Sequence, residues 1–137
     1  MNTRVLFAAI FTMALSAAPQ LVNTASAGGA YSARLISPTI GQVLHPGQQI
    51  RVEWKTVLPS IYMGACETEV WLSVDGGRTF TMWISPWLGP KATYFDWTVP
   101  NMPTNAAVME VRFGCEQFYP ETYAPQPAST FVIAKAQ

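Results

Sequence analysis

Apolar side chains fall at every second position through most of this chain, and that period narrows the possible folds more than any other feature. Ile50, Val52 and Trp54 alternate with Arg51, Glu53 and Lys55. Val70, Leu72 and Val74 alternate with Glu69, Trp71 and Ser73. Phe80, Met82 and Ile84 make a third row, and Phe95, Trp97 and Val99 a fourth. Met109, Val111, Phe113 and Cys115 make a fifth, with Glu110 and Arg112 facing the other way. Leu35 opens the series, and Phe131 and Ile133 close it. A period of two sends successive side chains to opposite faces of a strand. No helical period appears after residue 27.

Turn signals punctuate these rows at Ser37-Pro38, His45-Pro46-Gly47, Asp75-Gly76-Gly77, Gly89-Pro90 and from Pro100 to Asn105. Short strands separated this regularly predict an all-β fold, an immunoglobulin- or fibronectin-III-like antiparallel β-sandwich of about seven strands. The expected strands lie near residues 33–37, 48–56, 67–74, 79–85, 92–98, 106–115 and 129–135. The chain has no internal repeats, whereas a propeller needs several four-stranded blades. That decides how to read Ser73 to Phe80, SVDGGRTF, which resembles the Asp-box of sialidase propellers, Ser-x-Asp-x-Gly-x-Thr-aromatic. A single copy outside a propeller reads as a turn. Gly76 and Gly77 accept positive φ without steric cost, so Asp75-Gly76-Gly77 signals a hairpin. The Asp75 carboxylate is expected to accept backbone N–H groups across it, Ser73 and Thr79 to add side-chain bonds, and Phe80 to pack inward.

The start of the sequence reads as a secretory signal peptide, residues 1–27. Arg4 precedes an apolar run from Val5 to Leu15, broken only by Thr12, and Ala25-Ser26-Ala27 offers a small-x-small cleavage pattern. The run is too short to span a bilayer. Residues 28–137 are therefore expected to form one exported domain, periplasmic, cell-surface or extracellular, with no transmembrane segment after cleavage. Eight basic and eight acidic side chains balance in the full sequence, and Arg4 leaves with the signal. A chain this near neutrality offers no basic face, so no nucleic-acid partner is expected.

Three stretches carry a family resemblance. Ile36-Ser37-Pro38-Thr39-x-Gly41, Pro46-Gly47 and Ile50-x-Val52-x-Trp54 resemble the opening of the Knh-like immunoglobulin-type domain of fungal cell-wall proteins and exported bacterial proteins. Phe95-x-Trp97-Thr98-Val99-Pro100-Asn101 is similar to that family's Y-x-W-x-V-P strand, and Ser129-x-Phe131-x-Ile133 to its closing strand. The resemblance implies a β-sandwich at the cell surface or wall, tied to polysaccharide assembly or attachment, and it brings no catalytic residues.

Cys66 and Cys115 are the only cysteines. In an exported chain the pair reads as a disulfide, with two free thiols as the alternative. A closed loop of about 50 residues restrains the unfolded chain by about 4 kcal/mol in the entropy account. Cys66 begins one expected strand and Cys115 ends its antiparallel neighbour, so the bridge would staple one end of a sheet. That end gathers aromatic side chains. Tyr62 precedes Cys66, Trp87 lies in the connection after Ile84, and Phe118, Tyr119 and Tyr123 lie in residues 117–127, expected to be a long proline-rich loop. These aromatics either contact a ligand or cap the open end of the sandwich. As contacts they offer large area at small entropic cost. Trp71 and Trp83 are expected to pair across strands on the outer face, a sticky surface for a glycan or another copy of the domain unless a further strand covers it.

The carboxylates give no sign of catalysis. Glu67 and Glu69 share one strand face and Glu116 and Glu121 flank the expected loop, but nothing sets two of them across a cleft as glycoside hydrolysis requires. His45 is the sole histidine, with no nucleophile motif and no metal-ligand spacing to Met63, Met82, Met102 or Met109. The expectation is a non-enzymatic binding or adhesion module of the cell envelope, without cofactor or metal. Its ligand would be a polysaccharide or an envelope protein, held by Tyr62, Trp87, Phe118, Tyr119 and Tyr123. The alternative is a small exported inhibitor or accessory subunit that inserts its proline-rich loop into an envelope enzyme.

Overall fold

The alternating rows become strands because each can bury one face while its backbone bonds to neighbours. In the computed structural model, which describes residues 30–137, nine strands form. They are β1 (Ser32–Ser37), β2 (Val43–Leu44), β3 (Gln49–Val57), β4 (Cys66–Ser73), β5 (Met82–Trp83), β6 (Tyr94–Thr98), β7 (Thr104–Cys115), β8 (Tyr119–Pro125) and β9 (Phe131–Ile133). The signal peptide read from residues 1–27 lies outside the described residues.

The smaller sheet runs β1-β3-β6, and the larger runs β2-β9-β7-β4-β5, with β8 also on β7. All pairs are antiparallel except β2 with β9. The two sheets enclose one core and so make the expected all-β sandwich. Val52, Trp54, Phe95 and Trp97 of the smaller sheet bury with Val70, Leu72, Met109, Val111 and Phe131 of the larger. Trp54 meets Phe95, and Trp97 meets Phe131, edge to face. Each side chain of this size contributes about 1.5–3 kcal/mol when buried. A second cluster closes the end that carries the cysteines. There Phe113 stacks on Tyr31 at 5.2 Å and meets the edge of Tyr119 at 5.6 Å. Burial raises the Tyr31 hydroxyl well above the usual tyrosine value, and that hydroxyl donates to the Val111 carbonyl at 3.3 Å.

Four expectations change. The stretch expected to be a loop, residues 117–127, is mostly strand β8, which pairs with β7 through a three-residue turn with Gln117 at φ 66. Its prolines suggested a loop, yet Pro125 sits where its missing N–H would face the open edge, and edge strands tolerate proline. Tyr119, expected at a ligand, is buried and caps the second cluster. The strand expected near 79–85 shrinks to Met82–Trp83, because residues 74–81 are consumed by the turn. Phe80 is half-buried beside Gly77 rather than in the core, and the inward row begins at Met82.

Past β8, the Gln126 side chain closes a gap between the sheets. Its amide donates to the Ala33 carbonyl at 2.9 Å and accepts from the Leu35 N–H at 3.0 Å. A side chain thus satisfies part of the free edge of β1 as a neighbouring strand would.

Candidate binding groove

The outer face of the larger sheet changes character along β4. At the Ser73 end, the turn spends its polar groups on itself. Ser73 Oγ accepts the Gly77 N–H at 2.9 Å and donates to Asp75 Oδ1 at 2.6 Å. Asp75 Oδ1 also accepts the N–H groups of Arg78 and Thr79, and Oδ2 accepts the Thr79 hydroxyl at 2.6 Å. These bonds, from Ser73 first and then Thr79, hold the Asp75 carboxyl well below the usual carboxylate range. Gly76 and Gly77 take φ of 76° and 85°, where only glycine is comfortable. Ser73 and Val108 are paired across β4 and β7 at outward positions, yet both are buried, because the turn folds back over them. The expected roles of Ser73, Asp75, Gly77 and Thr79 in the turn are all seen.

The middle of the face carries a ladder of flat groups. Trp83 and Trp71 lie nearly parallel, 6.5 Å apart. The Arg112 guanidinium sits 4.2 Å from the Trp71 ring and 4.9 Å from the Tyr123 ring. The expected tryptophan pair therefore forms, but one of its members is covered. Glu110 is 5% exposed beneath this ladder and takes the Arg112 Nε at 2.7 Å. Tyr123 donates its hydroxyl to Glu121 at 3.0 Å, and that carboxylate raises the tyrosine above its ordinary value.

Beyond the ladder, toward Cys66, the face opens into a groove of about 610 Å3. Gly114 forms part of its floor, and a Cβ there would come within 3.2 Å of the Glu121 backbone. Glu67 and Glu69 of β4 stand on one side, with Glu116 and Glu121 toward the β7–β8 turn. Two indoles fix the β4 carboxylates: Trp87 Nε1 donates to Glu67 Oε2 at 2.6 Å, and Trp71 Nε1 donates to Glu69 Oε2 at 2.8 Å. A smaller hollow bounded by Trp87, Glu67 and Glu116 carries the groove round to the end of the sandwich. There the disulfide joins Cys66 to Cys115, which face each other directly across β4 and β7.

Three of the five aromatics expected at a ligand stand at this end and are exposed. Tyr62 is 75% exposed, Trp87 69% and Phe118 63%. Tyr62 meets Phe118 edge to face at 6.4 Å and lies against Gly64, where any side chain would overlap its ring. Tyr119 is in the core, and Tyr123 belongs to the ladder, not to the tip. Sequence reasoning did not foresee Arg112 or Gly114 at a site. The usable signal was the outward alternation on two paired strands, which aligns Glu67 with Gly114 and Glu69 with Arg112.

Among the described residues, no group of three or more His, Cys, Asp or Glu could hold a metal ion. No helix among them is long and apolar enough to cross a membrane. Comparison with protein-family models, with curated proteins and with solved structures found no match for the chain.

Proposed function

We propose that this chain is an exported, non-enzymatic binding module of the cell envelope, built on a Knh-type immunoglobulin-like domain, and that its ligand is a polysaccharide. The observation that carries this reading is the groove from Trp71 to the disulfide end, whose Glu67 is bonded by the exposed Trp87 of the adjoining hollow, with Tyr62 and Phe118 exposed and paired at the same end of the sandwich. Ligand sites pair aromatic surface with a few convergent polar groups, and this end of the sandwich carries both, in exposed Tyr62, Trp87 and Phe118 and in the carboxylates of the groove. The disulfide suits the oxidising compartments that an exported protein meets. The inhibitor alternative drew on a free proline-rich loop, and most of that stretch is strand β8.

The test is binding to a glycan panel and to isolated envelope polysaccharide. Wild type is compared with a Tyr62→Ala/Trp87→Ala/Phe118→Ala variant and with a Glu67→Gln/Glu121→Gln variant. Loss of binding in both, with the melting temperature of the carboxylate variant unchanged, supports the reading. Equal binding by all three proteins, or co-purification with a single stoichiometric enzyme and no glycan, overturns it.

A further inference from the structure

Among the described residues, four of the five strands that end a sheet are blunted. The free edge of β1 is bonded by the Gln126 amide. β2 and β5 are two residues each. β8 carries Pro120 and Pro125. β6 has none of these devices. It is five residues long, contains no proline or lysine, and keeps an unbroken register with β3. An unprotected edge of this kind is a template for another strand.

The register says which backbone groups are open. Trp54 donates to the Thr93 carbonyl and Val99 donates to the Gln48 carbonyl, so residues 93, 95, 97 and 99 face β3. Tyr94, Asp96 and Thr98 therefore turn their N–H and C=O groups to the free edge. No strand among the described residues pairs with that side.

We infer that the β6 edge is an interface with a second copy of this chain, formed by antiparallel pairing of β6 with itself about Asp96. The open groups are spaced symmetrically around the central residue. Asp96 then lies opposite Asp96 of the second copy, and Tyr94 opposite Thr98, which are the pairs that exchange both N–H···O bonds in an antiparallel ladder. The exposed side chains Tyr94, Asp96 and Thr98 align on one face, and Phe95 and Trp97 align on the buried one. Facing carboxylates oppose this register, but each Asp96 is already bonded to Arg51 at 3.1 Å, and Arg51 also covers the Tyr94 ring. The two smaller sheets join into one six-stranded sheet, and both grooves stay open on the far faces. The interface stands independently of the proposed ligand.

Sedimentation equilibrium of the purified chain from micromolar to millimolar concentration tests it. Wild type is expected to dimerise reversibly. Tyr94→Lys/Thr98→Lys keeps the strand and adds edge charge, and is expected to remain monomeric with an unchanged circular-dichroism spectrum. A wild type monomeric throughout, or a dimer unaffected by the double lysine variant, would overturn the inference. Capture of a strand from a different protein at this edge, in preference to a second copy, would also overturn it.

Discussion

The two ends of β4 hold the same pair of strands together by different means. At the Ser73 end, the turn is a closed set of hydrogen bonds in which each acceptor of Ser73 and Asp75 is matched by a donor within residues 73–79. Thr104 adds a bond to the Val74 carbonyl at 2.7 Å, tying the turn to the start of β7. At the Cys66 end, the strands are joined covalently, and the polar side chains are turned outward to line a groove. A motif with a reputation for catalysis spends the side chains of Ser73, Asp75 and Thr79 on its own turn. The covalent bond holds at this end what hydrogen bonds hold at the other, and Glu67, Gly114 and Glu116 beside it line the groove.

Breaking the bridge should have the largest effect. Cys66→Ser/Cys115→Ser is expected to cost about 2–5 kcal/mol of stability in denaturant unfolding. Native-state hydrogen exchange should then show the Cys66 ends of β4 and β7 opening before the Ser73 end. Uniform loss of protection along both strands would mean that the two ends are not held separately.

At the opposite end, Ser73→Ala should cost about 1 kcal/mol by leaving the half-buried Gly77 N–H and Asp75 short of a partner. Binding at the groove should not change in this variant. A change would show that the turn and the groove are coupled.

The pH dependence distinguishes the ends further. Because the folded Asp75 carboxyl is held low, its contribution is fully present above its unfolded value near 4 and is lost as pH falls below that. Thermal melts of wild type should therefore drop more steeply on acidification than those of Asp75→Asn. Parallel acid limbs would remove Asp75 as the cause.

The smallest effect belongs to the groove itself. Glu67→Gln/Glu121→Gln should change stability by no more than about 0.5 kcal/mol, because these carboxylates line an open surface. A loss as large as that from Ser73→Ala would make the groove a structural network like the turn.

The sandwich was legible because Val52, Trp54, Val70, Leu72, Val111 and Phe113 keep a strict period of two, and a buried sheet face enforces that period. The turn was legible for a related reason: the side chains that make it lie within a few residues of one another, so their bonds are local in sequence. Strand β8 was not legible. Pro120, Pro125 and Pro127 argue against a strand unless its position at an edge is known, and that position is a tertiary fact. The fate of Tyr119 depended on a further tertiary detail: a regular strand puts Tyr119 and Tyr123 on one face, and the register shift opposite Phe113 to Cys115 turns Tyr119 toward Phe113 while Tyr123 faces Arg112. The groove required the register between β4 and β7, because Gly114 is informative only as the gap between Glu67 and Glu121.

The parallel pairing of β2 with β9 has a mechanical consequence. The bonds from Gly41 to Thr130, Val132 to Gln42 and Ala134 to Leu44 join a segment near the start of the domain to one near its end, with both running the same way. Once β1 has yielded, a pull on the two ends of the chain loads these bonds lengthwise and together, rather than opening them one at a time. Shear of this kind resists extension far better than peeling, so the short strand β2 acts as a latch under tension.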